Sequence, residues 1–270
     1  MKDDISDIQS YYDDAVESEL VRLERHQLER DITWRYLDRY LPPKGAILDI
    51  GAATGGYTLE LAKRRYTVTA ADLSSNLIEL CQRRVSEEEL EKSVRFFVAD
   101  ARDLSDIKDD TFDAVLLMGP LYHLILEGDR KTALREAFDL LKPGGAIFSS
   151  FISRYGILGD VMKNIPQWIE NQSEVRSIME QGRDPDGMHG GGFRGYFTTI
   201  SEIATLHEEV GFKTLVVAGV EPAISADDES YNKLEGERRK LWLDLLYEIS
   251  TEESIIAASR HLLYIGTKPG

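Results

Sequence analysis

The residues whose types and spacing best suit chemistry lie in one stretch, ILDIGAATGGYTLELA at 47–62. Asp49 closes an apolar run, Gly51 follows two residues on, and Thr54, Gly55 and Gly56 make a turn before a helical pattern. Glycine lets a backbone approach a ligand closely and accommodates a tight strand-to-helix turn. The helix that follows points free N–H groups at a polar ligand group. Asp72 closes the next apolar run, ~20 residues on, where Rossmann-like folds place a carboxylate for the ribose hydroxyls of a nucleoside. Each feature alone has an ordinary structural reading: a common turn for the glycines, a helix or turn cap for Asp72 and Asp100. Taken jointly and in order, they point to a nucleoside site.

Other candidates are scattered. His123, in GPLYHL (119–124), has the pKa to act as a base near neutrality, and with Tyr122 it could instead pack in a pocket wall. His189 and Arg194 lie in the glycine-rich HGGGFRGYF, which reads as a lid closing over a substrate or as a long surface loop. His26 and Arg30, one helical turn apart, could face the cap but read more readily as a solvated helix face, and His261 as a strand-end residue. Five histidines and one cysteine show no ligand spacing, so no metal is expected, although scattered carboxylates could hold Mg²⁺ without a local motif.

Positioning such residues requires an α/β framework. Apolar residues at helical spacing from about Ser18 to Tyr40 predict one amphipathic helix stopped by Pro42-Pro43. Short apolar runs follow at 46–50, 66–72, 94–100, 112–118 and 145–151, with helical segments between them. Near-continuous apolar strands alternating with helices indicate a parallel sheet covered on both faces. Helices are expected after Thr54, from Ser74-Ser75-Asn76, and from about Asp129 to Leu141, where KPGG turns the chain. The rhythm then breaks, with a helix expected at Gln167–Glu180. It returns with a helix near Thr199–Val210 and strands at 212–220 and 261–268, separated by an acidic helical stretch at 229–258. The division is a helical arm at 1–44, a ligand-binding half at 45–151, a cap insertion at 152–197, and the rest of the sheet at 198–270. A helical excursion at 222–258 interrupts that last part. The cap would cover the carboxyl ends of the strands, where open α/β sheets bind ligands.

Composition narrows the partners. With 270 residues, 42% hydrophobic, the chain can bury a full core as one domain. No apolar run reaches the ~18–20 residues of a membrane span, and the acidic start MKDDISDIQSYYDD does not read as a secretory signal. A single cysteine, Cys81, suits a reducing cytoplasm. The formal charge of −16 repels phosphate backbones, so nucleic acid is a disfavoured partner. A monomer or homodimer acting on a small molecule is expected.

LDIGAATGG (48–56) resembles motif I of class I S-adenosylmethionine-dependent methyltransferases, FFVADARDL (96–104) the segment that meets adenine, TFDAVLLMGPLYHL (111–124) the fourth-strand motif, and LLKPGGAIFSS (140–150) the start of the fifth strand. Their order and spacing match across about 45–151. The resemblance implies a doubly wound, seven-stranded, mostly parallel sheet with an antiparallel last hairpin. It also implies S-adenosylmethionine as cofactor and methyl transfer to a small molecule. An RNA or protein methyltransferase and an inactive cofactor-binding scaffold remain the alternatives. The loop G-A-A-T-G-G lacks the G-x-G-x-x-G spacing that admits the pyrophosphate of NAD(P).

On the resemblance, Gly51, Ala52, Ala53 and Gly55 hold the methionine part, with Asp49 near its amino group. Asp72, with Leu73 beside it, takes the ribose hydroxyls, Asp100 and Ala101 meet adenine, and Met118 and Gly119 line the methionine side. Tyr11 or Tyr12 would fold over the cofactor, the alternative being a loosely ordered terminus, and His123 would face the transferred methyl. Tyr122, His189 and Arg194 would face the substrate or cap. The family's middle glycine is Ala53 here, tolerable if its φ stays negative.

Overall fold

The computed structural model describes residues 2–107, 111–184, 187, 194–224 and 227–270. Among these the strands are β1 (Ala46–Ile50), β2 (Thr67–Asp72), β3 (Val94–Val98), β4 (Phe112–Leu117), β5 (Leu141–Ser153), β6 (Arg183–Asp184), β7 (Gly195–Thr198), β8 (Lys213–Gly219) and β9 (His261–Thr267). The runs read as strands in the sequence are all strands. β3-β2-β1-β4-β5 form a parallel array, and β5 also pairs antiparallel with β9, which pairs antiparallel with β8. This is the expected seven-stranded sheet. The two-stranded β6–β7 hairpin, joined to the end of β5 by Ile152 opposite Phe197, was not foreseen.

Alternation along the strands divides the core. Ile47 faces a cluster with Leu28, Ile32, Leu61 and Val85, whereas Leu48 and Ile50 face one with Ala133, Leu134 and Ile203. Helices Gln27–Tyr40, Gly56–Lys63 and Ser75–Glu87 thus cover one face, and Glu127–Leu140 and Ile200–Glu208 the other. A third, smaller core holds Val161, Trp168 and Ile178, and Tyr122 packs into it.

Three predicted helices are broken. The helix expected over 18–40 is Val16–Leu20, Arg22–Arg25 and Gln27–Tyr40, with His26 out of helical geometry at φ −105°, ψ 60°. His26 is tied sideways: its Nδ1 lies 3.1 Å from Asp228 and 2.9 Å from Arg260. The helix expected at 167–180 is a 3₁₀ turn, Pro166–Glu170, followed by Gln172–Gln181. Asn171 caps the second segment by accepting from the Glu174 N–H. The stretch 229–258 is three helices, Asp228–Asn232, Gly236–Ile249 and Glu253–Ala258.

A cleft at the carboxyl end of the strands

A cleft of ≈ 290 Å³ opens above the ends of β1, β2 and β4. Gly51, Ala52, Ala53, Asp72, Leu73, Asp100, Ala101, Met118, Gly119, Tyr122 and His123 line it. Gly51 has φ +78°, and a Cβ there would stand 2.7 Å from the Pro120 ring, so only glycine fits. Ala53 departs from expectation: its φ is +47°, not negative. The cause is a bond, because the Ala53 N–H donates to Asp72 Oδ2 at 2.8 Å and pins the loop in the left-handed region. Gly55 lies behind the loop, where a Cβ would strike the Cys81 sulfur.

Asp72 is buried, and its other oxygen accepts the Ser74 N–H at 2.9 Å; Ser74, not Asp72, caps the next helix. Burial pushes its carboxyl up to about 6, against these two N–H bonds, with Glu19 adding to the rise. Asp49 does not line the cleft. It lies beneath the loop, accepts the Thr58 hydroxyl at 2.7 Å, and is also pushed up to about 6, first by burial. Asp100 accepts from the Arg102 guanidinium at 2.7 Å and 3.0 Å on Oδ2 and at 3.1 Å on Oδ1, and from the Arg102 backbone N–H at 2.9 Å on Oδ1.

The N-terminal helix Ser6–Asp14 roofs the cleft. The Tyr12 hydroxyl meets His123 Nε2 at 2.8 Å, and Asp13 accepts from Ser74 Oγ. Ahead of the helix, the Asp3 N–H donates to Asp129 at 2.9 Å, and Asp3, together with Asp7 in the first helical turn, pairs with Arg194, each at 3.0 Å. Tyr12 therefore faces the site, whereas Tyr11 points outward and Arg194 clamps the roof from outside the cleft. His189 lies outside the described residues. Burial pushes the His123 imidazole down to about 3, so it is neutral at pH 7 in this arrangement.

Sequence reasoning missed several residues here. Glu19, Arg22 and Tyr57 line the cleft, and so does Arg30, which the sequence had raised as a candidate. Glu19 makes no side-chain hydrogen bond or ion pair among the described residues, and burial raises its pKa. Arg30 thus faces the cleft rather than only solvent. His26 belongs to a partly buried group in which it, Glu29 and Glu221 bring ligand-capable atoms within 4.8 Å of one another. Local spacing does not announce that group, because Glu221 lies far along the chain from His26 and Glu29.

This sheet order, with a glycine loop after β1 and a carboxylate at the end of β2, defines the class I methyltransferase fold. Residues 47–145 match a family described as a methyltransferase domain. S-adenosylmethionine is the cofactor such a domain uses. The tRNA 5-carboxymethoxyuridine methyltransferase of Escherichia coli K12 is 28% identical over 49% of this chain and 51% of its own. The ubiquinone/menaquinone biosynthesis C-methyltransferase UbiE of Geotalea daltonii is 31% identical over 39% and 44%. The chain thus spans about half the length of these curated relatives. A S-adenosylmethionine-dependent methyltransferase structure from Methanosarcina mazei superposes with a TM-score of 0.60 at 21% identity, over 87% of this chain and 97% of that one. No helix among the described residues is long and apolar enough to cross a membrane.

The residues fit the cofactor. The Gly51 loop presents backbone where a Cβ would collide, and Asp72 retains lone pairs beyond its two N–H bonds. Asp100 and Ala101 line the same cleft on the adjoining strand end.

Proposed function

We propose that the chain transfers the methyl group of S-adenosylmethionine to a small-molecule nucleophile. The observation that carries this reading is the roofed cleft, in which the Gly51 loop, Asp72 and Asp100 share one wall with Tyr12 and His123 above. When bound, the cofactor supplies an activated sulfonium methyl group. Asp72 would hold the ribose hydroxyls, Asp100 and Ala101 the adenine edge, and the Gly51–Ala53 backbone with Met118 and Gly119 the methionine part. The remaining work of the protein is to place the acceptor ~3 Å from the methyl and to exclude water.

Tyr12 and His123 serve that exclusion. A His123 pulled down to about 3 is a weak base at pH 7, and its bond to Tyr12 suits it to holding the roof shut. Glu19, an acid in the cleft without a described partner, is the better placed group to take a proton from an acceptor. The net charge of −16 favours a small acceptor over RNA, although one relative by name acts on tRNA. A cytoplasmic setting, and a monomer or homodimer, complete the proposal.

The test is calorimetric titration with S-adenosylmethionine and S-adenosylhomocysteine, beside Asp72→Ala. Micromolar binding that weakens ~10–100-fold in the variant is expected, the loss of hydrogen bonds to a charged group. Methyl transfer to amines, phenols and thiols is then compared with transfer to bulk tRNA. Absence of cofactor binding by the folded protein would overturn the reading, and methylation of tRNA alone would replace the small-molecule acceptor.

A further inference from the structure

Behind the cleft wall at Arg22 lies a second polar centre. Glu29 receives the Arg22 guanidinium at 2.9 and 3.1 Å, and Arg22 also lines the cleft. Glu221 is fully buried after β8 and pairs with Arg260 and with His261 Nδ1, the latter at 2.9 Å. The same His261 nitrogen stands 3.7 Å from Glu29 Oε2. His26 completes the group, its ring 6.3 Å from that of His261. Arg260 is further held by Asp160 at 2.7 Å and Asp228 at 3.2 Å.

The charges in this centre do not balance. Glu29, Glu221, Asp160 and Asp228 carry four negative charges, whereas Arg22 and Arg260 carry two positive ones. Among the described residues these four carboxylates outnumber the two guanidinium groups, with two imidazoles beside them, an arrangement that suits a bound cation. The donors suit one: two imidazole nitrogens and two carboxylates from separate segments, with the His26, Glu29 and Glu221 atoms within 4.8 Å of one another.

We propose that His26, Glu29, Glu221 and His261 form a site for a divalent transition-metal ion such as Zn²⁺ or Mn²⁺. The ion ties the helix Gln27–Tyr40 to the turn after β8 and to the start of β9. The inference does not depend on the methyl-transfer reading. Arg260 Nη2, now 2.9 Å from His26 Nδ1 and also bonded to Glu221, shifts onto Asp228 when the ion enters, while Nη1 keeps its bond to Asp160. Arg22 stays on the outer side of Glu29, so the ion lies directly behind the cleft wall.

The test uses the full chain, free of tags and stripped with a chelator, titrated separately with ZnCl₂, MnCl₂ and MgCl₂. Binding of one Zn²⁺ or Mn²⁺ per chain is expected, with a rise in Tm that the chelator reverses. Affinity falls ~tenfold or more in His261→Asn and in Glu29→Gln, with folding checked by circular dichroism. If either variant fails to fold, Co²⁺ in the wild type gives the answer through visible absorption bands and two paramagnetically shifted imidazole signals. No saturable binding by the folded wild type, binding undiminished in folded variants, or a Co²⁺ spectrum without imidazole signals overturns the proposal. So does an NMR titration showing both imidazoles still protonated at pH 8 with Zn²⁺ present, since protons would then supply the missing charge.

Discussion

Replacing Asp49 by asparagine will stabilise the cofactor-free protein at neutral pH and leave its stability in acid unchanged. Asp49 lies under the glycine loop, 2% exposed, with the Thr58 hydroxyl as its hydrogen-bond donor at 2.7 Å. Burial, with Asp72 nearby, lifts its carboxyl from an ordinary 3.8 to about 6. A raised carboxyl pKa means the folded state disfavours the charged form. The folded state is therefore relatively most stable below pH ~4, where the group is protonated whether folded or not. Stability falls as pH climbs from ~4 to ~6, and above ~6 the full penalty applies. At ~1.4 kcal/mol per tenfold change in proton affinity, the gap is worth ~3 kcal/mol at pH 7.5. Asparagine has nearly the same shape, keeps an acceptor for Thr58 and carries no charge.

Urea unfolding of both proteins from pH 4.5 to 8 measures the difference directly, and comparing the two cancels the effect of net charge. The expected gain is up to ~3 kcal/mol at pH 7.5, shrinking towards zero as pH falls to ~4. A gain independent of pH, or a loss at pH 7.5, would refute the reasoning. Cofactor affinity supplies a second reading, since Asp49 does not line the cleft. Asp49→Asn is expected to weaken S-adenosylmethionine binding less than Asp72→Ala does.

Ala53→Gly removes the strain of a left-handed alanine at φ +47° and raises stability by ~1 kcal/mol, or ~2–4 °C in Tm by calorimetry. Gly51→Ala does the opposite: its Cβ would stand 2.7 Å from Pro120, and both stability (~1–3 kcal/mol) and cofactor binding are lost in the same titration. Tyr12→Phe deletes the bond to His123, so stopped-flow measurement shows faster cofactor release with little change in the melting temperature. Arg194→Ala frees Asp3 and Asp7 and exposes the N-terminal helix to limited proteolysis, which bound S-adenosylhomocysteine reverses.

Much of the sheet was legible because each strand carries its own signal. AILDI and FDAVLL are buried on nearly every residue, and such runs cannot persist in a loop. The Gly51 turn and the carboxylate of Asp72 follow from local chain geometry in the same way. The conformation of Ala53 was not legible, because a residue 19 positions away dictates it through one hydrogen bond. The broken N-terminal helix has a similar origin: periodicity describes one face, whereas His26 answers to Asp228 and Arg260, more than 200 residues distant. The ion pairs of Arg194 were hidden for the same reason, as glycines around it suggest a lid and cannot name its partners.

Several costs of this fold gather at the cleft. A left-handed alanine, two carboxylates pushed to about 6 and a roof helix tied by polar contacts all surround the β1 and β2 ends. Elsewhere the sheet obeys the ordinary rules of alternation and burial. Strain that persists at a cleft must be held by the surroundings or relieved by a ligand. Asp72 shows how a ligand would relieve it: ribose hydroxyls donating to a desolvated carboxylate favour its charged form and pull its pKa back down. Binding should then release protons when cofactor is added near pH 6, and release none at pH 8, where Asp72 is already ionised. Calorimetry in buffers of different ionisation enthalpy counts those protons. A proton count that does not change between the two pH values would separate the strain at Asp72 from cofactor binding.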